Sequence, residues 1–410
     1  MYENFQFSID SKSFYDLRGF FNPNKKELSF ELDIEQFFKI LKVTIAEALF
    51  DSDKIYKTLK TVYIKTDDNR IFSCINCIFT YNISSDMAKK ESFKLVSTDV
   101  ILENEISEKF DINTNKVVFK TKYLGSSKYM AYIKNIKFKY DSNKSVELNI
   151  YKEEDTIIEI SISSTRLHNY NKLSKIIYTI LEMITLIIGD MPIIDEVYFY
   201  VGDKKSNIYF SVVDKYNPEH KKKNCVDVLG YITEETINKK TIDDFINFRK
   251  KTKIIYDLFL ININRPNYKE IVNCNFVQMI EGLYKSLIST KDNLVDELKY
   301  FYYRTKNAKK ILSGRDKRKT KGKYETEIFI YKSKNQRHYL SHLNSNENKN
   351  VFYGLENIYA YWKLSLAIRL FILDYLDIKY DNNLLKNYID KVNQWAKNNK
   401  LRYSLKLNEN

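Results

Sequence analysis

Residues 170–189, YNKLSKIIYTILEMITLIIG, mark a change in the pattern of this chain. Their apolar side chains recur at steps of three and four, the spacing of one face of an α-helix. These residues are Leu173, Ile177, Ile180, Leu181, Ile184 and Ile188, and they are followed by Gly189, a residue type that commonly ends helices. The pattern predicts a buried helix. It does not predict a membrane span, because the apolar run 176–188 contains Glu182 and is shorter than the roughly 20 residues that cross a bilayer.

Upstream of this helix, short segments alternate between polar and apolar residues and are separated by clusters of Asn, Asp and Ser. They are Leu28–Ile34, Thr61–Lys65, Arg70–Ile75, Lys116–Lys120, Val146–Tyr151 and Thr156–Ile162. Because they are rich in β-branched and aromatic residues and have a period of two, we interpret them as β-strands. Several strands in succession, with few helical windows between them, predict a β-sandwich or a distorted barrel.

Downstream, two short β-like segments at 196–202 and 207–213 precede a polar junction around Pro218, and from Thr241 the pattern is almost entirely helical. Five apolar stripes predict an up-and-down bundle of about five helices. We therefore predict an α+β protein in three parts. Residues 1–164 form a β-rich domain, 165–223 a connecting segment that belongs to it, and 224–410 a helical domain.

The net charge of +14 over 410 residues is concentrated in the later part of the chain. Residues 1–164 contain 24 Lys and Arg against 25 Asp and Glu, whereas the remainder contains 43 against 28. A polyanionic partner is therefore expected to bind the C-terminal part. The composition is rich in Lys, Asn, Ile and Tyr and poor in Gly and Pro, which is typical of AT-rich codon usage and accounts for part of the basic charge.

The cysteines and the first residues bear on the cellular compartment. Four cysteines in 410 residues do not form a disulfide framework, and residues 1–10 do not read as a signal peptide. We expect a soluble cytoplasmic protein. Cys74 and Cys77 have the CxxC spacing of half a zinc site, but they lie within a strand pattern, so we interpret them as small core residues.

The strongest local charge is a basic block at 304–323, which holds ten Lys and Arg against Asp316 alone. We predict that eight of these residues bind RNA: Lys309, Lys310, Arg315, Lys317, Arg318, Lys319, Lys321 and Lys323. A flexible basic loop can tether RNA through its phosphates. The alternative is a solvated loop between helices with no ligand.

Shortly after the basic block, residues 335–342 read NQRHYLSH and place Arg337 five residues before His342, with His338 between them. RNA cleavage through the 2′-hydroxyl needs a proton acceptor and a cation on the scissile phosphate. Histidine and arginine supply these, and no metal or other cofactor is required. Positions five apart on a helix are about 140° apart, so a twofold pairing of two chains is expected to complete the site.

The spacing R-x4-H is weak by itself, because it occurs by chance in many chains. Its alternative is an exposed arginine and a histidine that make local hydrogen bonds. Glu281, beside the apolar stripe of an upstream helix, is predicted to bond Arg337 and orient it. An exposed glutamate on a helix face is the alternative for that residue.

The region around the motif resembles a known family. Arg337 to His342 is similar to the R-x4-6-H signature of HEPN domains, in which a polar residue often follows the arginine. The segment 343–378, a polar gap and then a long Leu/Ile-rich helix, is similar to the ApeA-like branch of that family, and so is Phe276–Leu283, which includes Glu281. Residues 18–30 and 170–189 resemble, more loosely, parts of the ApeA N-terminal domain.

This resemblance implies a dimerising, metal-independent endoribonuclease that leaves 2′,3′-cyclic phosphate ends and acts in abortive infection against phage. It implies that Arg337 and His342 are catalytic, that His338 assists and that Glu281 supports them. Host RNA, with tRNA first, is the expected substrate, and the β-rich part is expected to respond to a phage-derived trigger. Two alternatives stay open: a catalytically silent scaffold that binds RNA or a protein partner, and the toxin of a toxin–antitoxin pair.

Overall fold

The structure is a computed structural model that describes residues 2–32, 56–82, 91–98, 100–104, 111–122, 133–141, 144–152, 157–210, 228–264, 269–288, 292–304, 319–342 and 350–401. The strands are β1 (Tyr2–Ser8), β2 (Tyr15–Asn22), β3 (Glu27–Leu32), β4 (Tyr56–Thr66), β5 (Ile71–Asn82), β6 (Glu91–Ser97), β7 (Val100–Glu103), β8 (Asn113–Lys122), β9 (Ile133–Asp141), β10 (Lys144–Lys152), β11 (Ile157–Asn169), β12 (Ile193–Val201) and β13 (Lys204–Phe210). The helices are α1 (Tyr170–Ile188), α2 (Lys239–Asn264), α3 (Lys269–Leu287), α4 (Leu294–Arg304), α5 (Lys319–His342), α6 (Leu355–Tyr375) and α7 (Asn382–Asn398).

The first six strands form a closed antiparallel barrel. They pair in the order β4-β1-β2-β3-β6-β5, and β5 pairs back with β4, which closes the ring. Its interior is filled by phenylalanines, which include Phe7, Phe21, Phe30 and Phe72, all buried. Cys74 is buried in the same cluster, as is Cys77, so both are core residues, as the sequence predicts. Of the two architectures that the sequence allows, the barrel is the one that forms here.

The sheet then continues beyond the barrel. β7 also pairs with β5, and the order β7-β13-β12-β8-β11-β10-β9 extends from it, all antiparallel. One face of this extension belongs to a second and larger hydrophobic cluster, which also includes α1 and the later helices. Phe119 of β8, Ile160 of β11, Ile180 of α1 and Phe245 of α2 are all members of it. The division between the two clusters therefore falls within the sheet, near β5 and β7.

Helix α1 lies between the sheet and the helical region. It packs against β8 and β11 on one side and against α2 and α6 on the other, which explains why its apolar residues extend around most of its surface. Gly189 ends the helix in the left-handed conformation at φ 82°, and its N–H donates to the Thr185 carbonyl at 2.8 Å. The predicted buried helix is confirmed.

Two charged contacts fix α1 to the later helices. Glu182, the one acid in its apolar run, forms an ion pair with Arg249 of α2 at 2.6 Å, although burial raises the pKa of this carboxyl. Arg369 of α6 is fully buried and donates to the carbonyls of Leu186 and Ile187 at 2.7 and 2.9 Å. A cation at the last turn of a helix also interacts favourably with the helix dipole. The two halves of the chain are thus joined by polar bonds as well as by a shared core.

Two predictions about the elements need correction. The sequence analysis includes none of β1, β2, β6, β7 and β9, and β7, with four residues, is too short to show a clear alternation of polar and apolar residues. Six helices follow α1 in the described ranges, not about five, and the additional one is α5.

The β-like segments predicted around 196–213 correspond to β12 and β13. No described helix is long and apolar enough to cross a membrane. The domain limits remain a prediction.

Gly19 provides a test of the barrel. It lies opposite Phe30 in the β2–β3 pairing, and a Cβ atom at this position would overlap the Ser29 carbonyl oxygen and lie 2.9 Å from the Phe30 Cα. Because both contacts are backbone atoms, Gly19→Ala is expected to lower the free energy of unfolding by about 1–3 kcal/mol, measured by chemical denaturation. Gly282→Ala is the matched control, since its Cβ would meet only side-chain atoms of Ile255, of which the terminal Cδ1 at 2.9 Å is the nearest. Equal loss in both variants would contradict this account.

Candidate functional site

The motif lies on α5, a helix that the sequence analysis does not predict. Arg337 and His338 lie in its last turns, and His342 is its final residue. Its described buried positions divide between three consecutive apolar residues, 328–330, and three polar ones, Lys332, Ser333 and Gln336. Apolar residues therefore do not recur at helical spacing along α5, and no apolar stripe marks the helix in the sequence.

Two of the buried polar residues of α5 bond to the segment that precedes α6 and to its first turn. Lys332 pairs with Glu356 at 3.0 Å, and both side chains are largely buried. The amide oxygen of Gln336 accepts from the Phe352 N–H at 3.1 Å. A paired ion and a satisfied amide remove most of the penalty of burying these groups. These contacts hold the helical turns that carry the motif.

Arg337 is anchored by Glu281 of α3. Its Nη2 lies 2.6 Å from Glu281 Oε2, and the two side chains are 23% and 18% exposed. The predicted contact between these residues is therefore present. Arg337 Nε is buried and has no hydrogen-bond acceptor within the described ranges. The guanidinium is thus fixed on one side, while part of its donor capacity is unused.

Lys285 is the second cation of the site. Its Nζ lies 2.6 Å from the other oxygen of Glu281, so the carboxylate bridges two cations. The hydrogen bond to Glu281 is the main reason that the pKa of Lys285 is raised. The sequence analysis misses Lys285, although a glutamate four residues before a lysine is a recognisable helical pair.

Glu297 of α4 is the fourth charged residue of the site. Its side chain is fully buried, and neither carboxylate oxygen forms a hydrogen bond within the part of the chain that the structure describes. Among the described residues, its nearest cation is Lys285, with Nζ 3.8 Å from Oε1. Burial raises the pKa of Glu297, and the positive charges of Lys285 and Arg337 act against this rise.

The sequence analysis also misses Glu297, although a signal for it exists. Leu294, Leu298 and Phe301 form the apolar stripe of α4, and position 297 lies within that stripe at helical spacing. An acid at a core position of a helix is unusual enough to mark a special environment.

Cys274 lies close to this group of charges. It is buried on α3, and its thiol interacts with Ser341 and with the charge of Arg337. Burial raises the pKa of this thiol, whereas the Ser341 hydrogen bond and the Arg337 charge oppose that effect. The thiol is therefore protonated at neutral pH and behaves as a small packing group beside the arginine.

The two histidine positions of the motif lie on α5 away from the position of Arg337. Positions 338 and 342 are four apart and lie on one stripe of the helix, whereas Arg337 and His342, five apart, are separated by about 140° around its axis. His338 is partly buried. One copy of the helix therefore does not place Arg337 and position 342 on a common face. The sequence analysis predicts this separation from the spacing of five residues.

The structure describes only part of the predicted basic RNA-binding block. Lys319, Lys321 and Lys323 belong to the first turns of α5, so this end of the block is helix and not loop. Lys309, Lys310, Arg315, Lys317 and Arg318 lie outside the described residues. The RNA-binding role of all eight remains a prediction.

Comparison with models of protein families, with curated proteins and with solved structures finds no match to this chain. Among the described residues, no three or more His, Cys, Asp and Glu side chains lie together in a way that could hold a metal ion. The arrangement itself offers a partly exposed guanidinium, a neighbouring ammonium and a bridging carboxylate. Such a group of charges is suited to binding an oxyanion such as a phosphate.

Proposed function

We propose that this chain is a metal-independent endoribonuclease, with Arg337 and His342 as its catalytic residues and His338 assisting. The observation that carries the proposal is the anchoring of the partly exposed Arg337 by Glu281 at 2.6 Å, with Lys285 on the other oxygen of the same carboxylate. An arginine held in this way can stabilise negative charge that develops on a phosphate without reorganising.

The chemistry follows from the substrate. His342, as a neutral imidazole, removes the proton of the 2′-hydroxyl, and the 2′-oxygen attacks the adjacent phosphorus. The bond from phosphorus to the 5′-oxygen breaks, and a protonated histidine supplies the proton that this oxygen needs. The products are a 2′,3′-cyclic phosphate and a 5′-hydroxyl, the ends that the HEPN resemblance implies.

A homodimer completes the proposed site. Because Arg337 and His342 are about 140° apart on one helix, two copies of α5 that face each other offer a simple way to surround one phosphodiester. Within this proposal, the basic block from Arg304 to Lys323 contacts the flanking phosphates. RNA affinity is then expected to fall steeply as salt is raised.

The biological role that we propose is anti-phage abortive infection, with host RNA, and tRNA first, as the target. It rests on the resemblance to ApeA-like HEPN proteins. In this proposal the barrel and its extended sheet restrain the nuclease or release it when a phage-derived trigger is present. Their packing on α1, which Arg369 bonds to α6, offers a route for such coupling.

The test is cleavage of RNA in the presence of EDTA. Purified protein incubated with total tRNA is expected to give fragments with 2′,3′-cyclic phosphate and 5′-hydroxyl ends. An RNA methylated at each 2′-oxygen is the control and is expected to stay intact, because it lacks the nucleophile. Cleavage of the methylated RNA would contradict the mechanism. If unmodified tRNA binds but stays intact, with and without extract from phage-infected cells, the scaffold alternative is favoured.

A further inference from the structure

Glu297 has no part in the mechanism proposed above, although it lies beside the arginine that the mechanism uses. It is fully buried, and its two oxygens form no hydrogen bond to any described residue. A buried carboxylate in this state is unfavourable, because it has lost water without gaining donors. The neutral acid has a smaller desolvation penalty. A glutamate at this buried position is therefore protonated more readily than a glutamate on the surface.

The charge of the site depends on this one proton. Arg337 and Lys285 carry two positive charges, and Glu281, which bridges them at 2.6 Å to each, carries one negative charge. If Glu297 is neutral, the group of four has one net positive charge. If Glu297 is ionised, the net charge is zero, and Lys285, 3.8 Å away, has a second anion to pair with.

We propose that Glu297 is a positioning residue that sets the charge of the Arg337 site, so that its neutral form permits the binding of an RNA phosphodiester and its ionised form opposes it. The proposal rests on the proposed function in one respect, namely that the anion is a phosphodiester of RNA. Glu297 acts through Lys285 and Glu281 and is not itself expected to touch RNA.

The groups around Glu297 support this assignment. The charged and titratable groups that interact with it come from α3, from α5 and from the residues just before α4. They are Lys285, Glu281, Tyr284, Arg337 and Asp292. Burial is the largest of the influences on Glu297 and raises its pKa, so its titration lies above the ordinary range of a glutamate.

The direction of the pH dependence follows from linkage. A phosphodiester is an anion and favours the protonated form of Glu297, so RNA binding is accompanied by proton uptake. Affinity is therefore highest below the raised pKa of Glu297 and falls as pH increases through it. If the bound anion raises the pKa of a neighbouring carboxyl by one unit, the anion binds about tenfold more tightly when that carboxyl is protonated than when it is ionised.

The experiment measures the affinity for an RNA oligonucleotide methylated at every 2′-oxygen, which binds but is not cleaved, between about pH 5 and pH 8. Wild-type affinity is expected to fall at least about tenfold across this range. Glu297→Gln is expected to keep the high affinity for the oligonucleotide at about pH 8. It is expected to lose the part of the pH dependence that comes from Glu297. Glu297→Asp keeps an ionisable group and is expected to keep the dependence. His338 and His342 are present in every variant, so the comparison isolates the effect of position 297.

Asp296→Asn is the matched control, because it removes an exposed carboxylate from the adjacent position of α4. It is expected to follow the wild-type profile. The proposal is overturned if Glu297→Gln, with a thermal unfolding temperature at least equal to that of the wild type, shows the wild-type pH profile. It is also overturned if wild type does not bind the oligonucleotide at any pH. Cleavage of unmodified RNA is scored separately, so failure of the nuclease proposal is distinguishable from failure of this one.

Discussion

Replacing Arg337 with alanine is expected to lower the rate of RNA cleavage by about a hundred- to a thousandfold, with little change in stability. The loss of one preorganised donor to a developing oxyanion has an effect of about this size. Stability is expected to change little because Arg337 is partly exposed and Glu281 keeps Lys285 as a partner at 2.6 Å. The measurement is single-turnover cleavage of a tRNA substrate with saturating protein.

Two further variants make this result specific. Arg337→Lys keeps the charge but not the planar fork, so it is expected to recover only a small part of the activity. Lys334→Ala removes a cation from the preceding turn of the same helix and is expected to retain activity within a few fold. If Arg337→Ala and Lys334→Ala cleaved RNA equally fast, Arg337 would not be part of the catalytic machinery.

Replacing Arg369 with leucine is expected to lower the free energy of unfolding by about 3–5 kcal/mol. Arg369 is 1% exposed and donates to two carbonyls at the end of α1. Ile187 keeps a second donor, the Leu229 N–H at 2.8 Å, but the variant leaves the buried Leu186 carbonyl without the guanidinium. A buried acceptor that loses a charged donor accounts for much of the expected loss, and imperfect packing accounts for the rest.

Chemical denaturation followed by circular dichroism measures this loss. Arg369→Lys keeps a positive charge near the end of α1, and its destabilisation is expected to be smaller than that of the leucine variant. Lys386→Leu, at an exposed position of α7, is the matched control and is expected to change stability by no more than about 0.5 kcal/mol. If the unfolding midpoint of Arg369→Leu equalled that of the wild type, the hydrogen bonds of Arg369 to α1 would make no net contribution to the free energy of unfolding.

The elements that the sequence predicts well have apolar residues at regular spacing. Helix α1 is predicted with its ending, because Leu173 to Ile188 follow a helical period and Gly189 follows them. Strands such as β8 and β11 are predicted because both contain runs of β-branched residues. Helix α5 is not predicted, since half of its described buried positions are polar, and the partners of Lys332 and Gln336 lie elsewhere in the chain.

The candidate site likewise contains residues that the sequence predicts and residues that it does not. Arg337, His338 and His342 are recognisable from their types and spacing, and the contact of Arg337 with Glu281 is predicted from the helix on which Glu281 lies. Lys285 and Glu297 are not predicted. Their importance depends on the packing of α3 against α4 and α5, which brings residues from three separate segments into one group of charges.

The sequence by itself determined that a β-rich part precedes a helical part, that α1 is buried, and that an arginine and two histidines lie within one octapeptide. These are properties of periodicity and residue type, which are local. Only the tertiary structure decided that the first six strands close into a barrel, that Arg369 bonds the end of α1, and that Glu297 is buried without a hydrogen bond beside Lys285. Those features depend on contacts between residues far apart in the chain, because the energy of a buried charge or a strand pair is set by the partner that folding brings to it.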